Sequence, residues 1–204
     1  MQQIKNIIFD LGGIFLEIDY QKTKDAFTNL GIEDFDALFT QHHANRLFEE
    51  LETGKISEPE FYERFRKDGK VNFTNAEIKD AWNAMLGNFP LDRIEWLKAI
   101  KSKYNIFLFS NTNQIHYDAF MAIYKSNTGR TDFNSHFTKA YYSQYLGLRK
   151  PYAASFLAIL KEQNLRAEET LFIDDTIKNI EAADALGIKT IHLVAPKTVL
   201  DLEL

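Results

Sequence analysis

Short, uniformly apolar runs alternate along the chain with longer amphipathic ones. Ile4–Phe9, Ile106–Phe109, Leu171–Ile173 and Ile191–Val194 are apolar at consecutive positions, the pattern of strands buried on both faces, and Phe137–Tyr142 is a weaker fifth. Ala153, Phe156, Leu157 and Leu160 recur at i, i+3, i+4 and i+7 and predict a helix. A second helix, carrying Ile177, Ile180 and Leu186, is expected to stop at Gly187, because glycine adopts the left-handed conformation that closes a helix. Strands alternating with helices predict an α/β protein with a parallel sheet covered on both faces.

The pattern changes between Asp19 and Asn88, where helical stripes occur without a convincing strand. Ala44, Leu47, Phe48 and Leu51 form one stripe; Ile78, Ala81, Trp82 and Met85 form another. Ser57-Glu58-Pro59-Glu60 and Thr74-Asn75-Ala76-Glu77 each place a glutamate three positions after a hydroxyl, the capping box that opens a helix. The expected organisation is a core made of residues 1–18 and 89–204, with an inserted helical module at 19–88. Phe61, Phe65 and Trp82 read as the core of that insertion, and Ser126–Ser135 reads as a surface loop.

Composition narrows the chemistry. The 204 residues contain no cysteine, so disulfides, thiolate zinc sites and cysteine nucleophiles are excluded. A net charge of −5 disfavours a broad nucleic-acid surface, while a small anion in a locally positive pocket remains compatible with it. No apolar run reaches membrane-spanning length and the first residues do not read as a signal peptide, so no membrane partner and a cytoplasmic location are expected. The five histidines lack metal-ligand spacing. His42 and His43 are placed in the inserted helices, where they approach the site only if a lid closes.

Candidate chemistry sits at strand ends. Asp10 follows the first strand, Ser110-Asn111-Thr112-Asn113 the second, and Asp174-Asp175 closes Leu171–Ile173; in an open α/β sheet these ends share one crevice. Arg149-Lys150-Pro151 precedes a helix, with Pro151 expected near its first position. Asp10 and Asp174 are hard oxygen ligands suited to Mg²⁺, a carboxylate can act as nucleophile, Lys150 balances anionic charge, and Ser110 with nearby N–H groups can hold phosphate oxygens. Gly12 and Gly13 either serve the turn or let main chain approach a phosphate, and Asp174-Asp175 could equally cap the following helix. Glu52-Thr53-Gly54-Lys55 would point a polar edge at a substrate.

Together, Asp10-Leu11-Gly12-Gly13, Ser110-Asn111-Thr112-Asn113, Arg149-Lys150-Pro151 and Phe172-Ile173-Asp174-Asp175 with Asn179-Ile180-Glu181 resemble the four ordered motifs of the haloacid dehalogenase-like superfamily. Within it the chain is most similar to small sugar-phosphate phosphatases of the α-D-glucose-1-phosphate phosphatase type. The resemblance implies a Rossmann-like parallel-sheet core with the inserted module as its helical cap domain, Mg²⁺ as cofactor and hydrolysis of a small phosphorylated metabolite, such as a hexose 1-phosphate, through an aspartyl-phosphate. It assigns Asp10 as nucleophile and metal ligand, the Gly12 carbonyl and Asp174 as further ligands, and Asp175 as an indirect or water-mediated partner. Ser110 and Asn111 would bind the phosphoryl group and Lys150 stabilise it.

Gly12 departs from the pattern. Most phosphatases of the superfamily carry a second aspartate there as general acid and base, and losing such a group costs roughly 10²- to 10⁴-fold in rate. The dehalogenase branch has an aromatic residue at that position, whereas the glucose-1-phosphate phosphatase type resembles this chain in having glycine. Two alternatives stand beside the phosphatase: a dehalogenase-type hydrolase, and a catalytically weak phosphoester-binding protein.

Overall fold

The computed structural model describes residues 3–32, 34–37, 39–40 and 43–204. In chain order the elements are β1 (Asn6–Phe9), α1 (Tyr20–Asn29), β2 (Phe39–Thr40), β3 (His43–Ala44), α2 (Arg46–Glu52), α3 (Glu58–Gly69), α4 (Asn75–Asn83) and α5 (Leu91–Lys101). They continue with β4 (Asn105–Ser110), α6 (Gln114–Thr128), β5 (Lys139–Tyr142), α7 (Ser143–Leu146), α8 (Ala153–Glu162), β6 (Thr170–Asp174), α9 (Ile177–Asp184) and β7 (Lys189–His192).

Five strands form one sheet in the order β5-β4-β1-β6-β7, and every neighbouring pair is parallel. Side chains alternate across a strand, so Ile7, Phe9, Ile106, Leu108 and Ile173 bury on one face while Ile8, Phe107, Phe109 and Phe172 bury on the other. This two-sided burial accounts for the uninterrupted apolar runs. The register pairs Phe9 with both Leu108 and Ile173, which brings the carboxyl ends of β4, β1 and β6 level. The last strand lies earlier than expected: β7 ends at His192, bound by its pairing to Asp174, and Val194 is exposed beyond the sheet.

The helices depart from the sequence reading in detail. α8 buries Phe156, Ile159 and Leu160 but turns Leu157 to solvent. α6 runs on through Ser126–Thr128, and the supposed loop after it buries Phe133 and His136 in a 3₁₀ turn. α9 ends at Asp184, while Gly187 does adopt the left-handed conformation, at φ +80°.

Residues 20–83 carry α1 to α4 around a separate aromatic cluster of Phe27, Phe35, Phe48, Phe61, Phe65 and Trp82. Both capping boxes form, Ser57 with Glu60 and Thr74 with Glu77. Ala44 belongs to a short antiparallel hairpin, β2–β3, rather than to the α2 stripe, because the Asn45 side chain accepts from the Leu47 and Phe48 N–H groups and starts the helix after it. His43 accordingly lies in β3, not in a helix, and His42 falls outside the described residues. The segments entering and leaving this region run side by side: Glu17 N–H donates to Asn88 O, Gly87 N–H to Glu17 O and Asp19 N–H to Met85 O. No helix among the described residues is long and apolar enough to cross a membrane.

Candidate active site

The level strand ends bring three carboxylates and one ammonium together. Asp10 follows β1, Asp174 closes β6 and Asp175 begins the turn into α9; one oxygen of each lies within 4.8 Å of the others. Lys150 is 1% exposed, and its Nζ donates to Asp10 Oδ1 and Asp174 Oδ2 at 2.7 Å each, above the Phe109 and Phe172 rings. Asp174 is fully buried: Oδ1 accepts from the Thr176 N–H at 2.7 Å, and Asn179 Nδ2 bridges both oxygens at 3.1 Å. Thr176 is the N-cap residue of α9, and Asp174 takes over its N–H, so this acid both starts the helix and faces the site.

Lys150 stands between two of the three carboxylates, Asp10 and Asp174, and forms an ion pair with each. Burial raises the Asp10 carboxyl to about 7, with Lys150 opposing and Asp174 and Asp175 reinforcing the rise. Burial, and then the neighbouring Asp174, also raises Asp175. Burial pulls Lys150 down, but the Asp10 and Asp174 carboxylates outweigh it and hold the ammonium above its ordinary value. A set of three carboxylate oxygens of this kind fits a hard divalent cation, Mg²⁺. Asp10 and Asp174 would hold it, with Asp175 in reach.

Gly12 and Gly13 do different things. Gly13 sits at φ +72°, and a Cβ there would lie 2.5 Å from Asp175 Oδ2, so only glycine lets β1 turn against that acid. Gly12 has no left-handed backbone and lines the cavity; a Cβ there would meet only Ile18, at 3.1 Å.

Ser110 and Asn111 both line the cavity, but Asn111 has a further task. Its Oδ1 accepts from the Lys150 N–H and its Nδ2 donates to the Lys150 carbonyl, both at 2.9 Å. These two hydrogen bonds pin the Lys150 main chain to the β4 loop, and Pro151 lies two residues before α8 instead of in its first turn. Ser143 anchors the same loop by accepting from the Thr112 N–H and donating to the Thr112 carbonyl.

The strand ends open into a cavity of about 290 Å³ whose walls include residues that sequence reasoning did not assign. Glu52, from the inserted helices, forms an ion pair with Arg149 at 2.9 Å, a pairing that no local sequence pattern encodes. Burial raises the Glu52 carboxyl against the opposing pull of Arg149. Tyr20 opens α1 and lines the cavity; burial and then the Asp175 and Asp10 charges keep its phenol protonated. His116, two residues into α6, also lines it, and its ring stacks on Trp82 with centroids 4.5 Å apart.

Known proteins carry the same architecture. The sequence pattern of the haloacid dehalogenase-like hydrolases matches residues 4–187. A D-ribitol-5-phosphate phosphatase of Bacteroides thetaiotaomicron is 33% identical over 187 residues, covering 92% of this chain and 90% of that protein. A haloacid dehalogenase family enzyme of Bacteroides thetaiotaomicron, solved as an aspartate-to-alanine variant with magnesium and inorganic phosphate, superposes with a TM-score of 0.87 at 29% identity, over 95% of this chain and 96% of that one. A predicted hydrolase of the same family from Porphyromonas gingivalis gives 0.83 at 31% identity, over 93% and 91%. The ordered motifs, the parallel sheet that converges them and these likenesses agree: the chain belongs to the haloacid dehalogenase-like hydrolases.

Proposed function

We propose that the protein is a Mg²⁺-dependent phosphatase acting on the phosphate monoester of a small polyhydroxylated molecule, a sugar or polyol, through an aspartyl-phosphate on Asp10. The observation that carries this reading is the Lys150 ammonium, donating at 2.7 Å to both Asp10 and Asp174. It holds one Asp10 oxygen and leaves the other to attack phosphorus. A new P–O bond then forms on Asp10 as the bond to the substrate oxygen breaks. Lys150 and the Ser110 hydroxyl stabilise the charge spread over the transferring group, and Asn111 keeps Lys150 in place. Mg²⁺, when bound by Asp10 and Asp174 with the Gly12 carbonyl, neutralises the charge gathered between carboxylates and phosphate. The helical region 19–88 would roof the cavity as a cap and supply part of the wall that meets the organic group.

The relative's activity on D-ribitol 5-phosphate and the resemblance to glucose-1-phosphate phosphatases both favour a hydroxyl-rich substrate. Phosphate release from p-nitrophenyl phosphate and from a panel of sugar and polyol phosphates, with Mg²⁺ or EDTA, tests the proposal. Release that requires Mg²⁺ and falls by at least 10³-fold in Asp10→Asn is the expected result. Hydrolysis by Asp10→Asn within tenfold of the parent would remove Asp10 as nucleophile. Binding of phosphate esters with no release would favour the phosphoester-binding alternative, for which the glycine at position 12 is the supporting observation.

A further inference from the structure

His116 carries a hydrogen-bonding group for which the described protein supplies no partner. The residue is 7% exposed, and its Nε2 lies 3.0 Å from the Trp82 carbonyl oxygen. A carbonyl only accepts, so Nε2 holds the ring hydrogen. Burial lowers the imidazole to about 4 and keeps it neutral near pH 7, which leaves Nδ1 as a bare lone pair. Nδ1 makes no hydrogen bond among the described residues, although the ring lines the cavity that begins at Asp10. Nδ1 is not sealed from the cavity, so water can donate to it there, and a ligand that displaces that water has to supply a donor in its place. A phosphate dianion has no hydrogen to give, which directs Nδ1 to the organic part of the substrate. Tyr20, on the same wall, presents a phenol that also makes no hydrogen bond among the described residues. A hydroxyl both donates and accepts, so this wall matches hydroxyl groups rather than an aryl or alkyl chain.

Resting on the phosphatase reading above, we infer that His116 is a specificity-determining residue whose Nδ1 accepts a hydrogen bond from a hydroxyl of the phosphorylated substrate. Its Nε2–H, spent on Trp82, fixes the ring for that purpose and ties it to the inserted helices. The contact selects polyol and sugar phosphates against esters of the same length that lack hydroxyls, since a polar group built to meet a hydroxyl is left unpaired by the deoxy analogue.

The test compares D-ribitol 5-phosphate with n-pentyl phosphate, both primary esters of five-carbon chains. His116→Gln retains an amide that can reach the Trp82 carbonyl and places no acceptor at the Nδ1 position. The ratio of kcat/KM for the two esters is expected to fall roughly tenfold in this variant, the size of one neutral hydrogen bond. A ratio within twofold of the parent, in a variant with the parent's circular dichroism, would overturn the assignment. Nitrogen-15 spectra of the histidine-labelled Asp10→Asn protein with Mg²⁺ give a reading independent of turnover. The expected neutral tautomer carries hydrogen on Nε2, and its Nδ1 resonance should move upfield on adding ribitol 5-phosphate but not n-pentyl phosphate. Hydrogen on Nδ1, or equal shifts with both esters, would overturn it. If the parent releases phosphate from no ester, the phosphatase reading fails, and the nitrogen spectra still decide the role of His116.

Discussion

Gly12→Asp would install the acid that most phosphatases of this family carry, and the structure sets what it should cost and gain. The backbone at 12 is not left-handed, and the only obstruction to a Cβ is Ile18 Cγ1 at 3.1 Å, part of a side chain that can rotate. An overlap of a few tenths of an ångström against a movable group costs about 1 kcal/mol. The new carboxyl would stand within about 7 Å of Asp10, two residues along the chain. At an effective dielectric of 20 that separation is worth about 2 kcal/mol of repulsion, which lifts the new acid by between one and two pKa units, toward the range useful to a proton donor. In the proposed aspartyl-phosphate route, a first step without an acid at 12 expels its alkoxide unprotonated or borrows a proton, so its rate should fall steeply as the leaving group becomes more basic. An anomeric oxygen leaves more readily than a primary alkoxide, so sugar 1-phosphates should outpace 6-phosphates in the parent. Gly12→Asp should flatten that dependence and speed the most basic leaving groups by roughly 10²-fold or more. Single-turnover rates across substituted phenyl phosphates in both proteins measure the slope. A folded Gly12→Asp enzyme with the parent's steep slope would mean that another residue already delivers the proton, and the reasoning about position 12 would be wrong.

Gly13→Ala should behave oppositely: its φ of +72° and a Cβ 2.5 Å from Asp175 Oδ2 predict a melting temperature lower by about 4 °C or more, and no loss would show that the turn relaxes freely. Asp174→Asn should raise the half-saturating Mg²⁺ concentration tenfold or more in activity titrations, since it removes a charged oxygen and turns an amide N–H toward Lys150 or Asn179; an unchanged titration would transfer the ligand role to Asp175. His116 has a folded pKa of about 4 against 6.5 unfolded, so its contribution is complete above pH 6.5 and is lost as pH falls toward 4. Chemical denaturation should show the parent losing about 3 kcal/mol relative to His116→Gln across that window, and a pH-independent difference would refute the burial of a neutral ring.

The strands and their terminal acids were legible because two-sided burial writes itself as uninterrupted apolar runs, and a parallel sheet necessarily aligns the ends of β4, β1 and β6. The capping boxes were legible because Ser57–Glu60 and Thr74–Glu77 act within four residues. The cavity wall was not. Arg149 and Glu52 lie almost a hundred positions apart and meet only through packing of the inserted helices on the core. His116 looks like any helix residue until Trp82 accepts its hydrogen. Asn111 lines the cavity, and nothing local announces that its side-chain amide also holds the Lys150 main chain, a pairing between two loops.

The first turn of α6 has a consequence for how such proteins can be recombined. Ile115 is buried among the aromatic side chains of residues 27–85, whereas Phe120 and Tyr124 of the same helix pack against the sheet. Exchanging the 19–88 region with that of a relative at its narrow two-stranded neck would therefore carry away Trp82 and leave Ile115 and His116 facing foreign neighbours. A chimera that keeps these contacts has to inherit residues 115 and 116 together with the helices they touch, so the exchangeable unit is discontinuous in sequence and includes the first turn of α6.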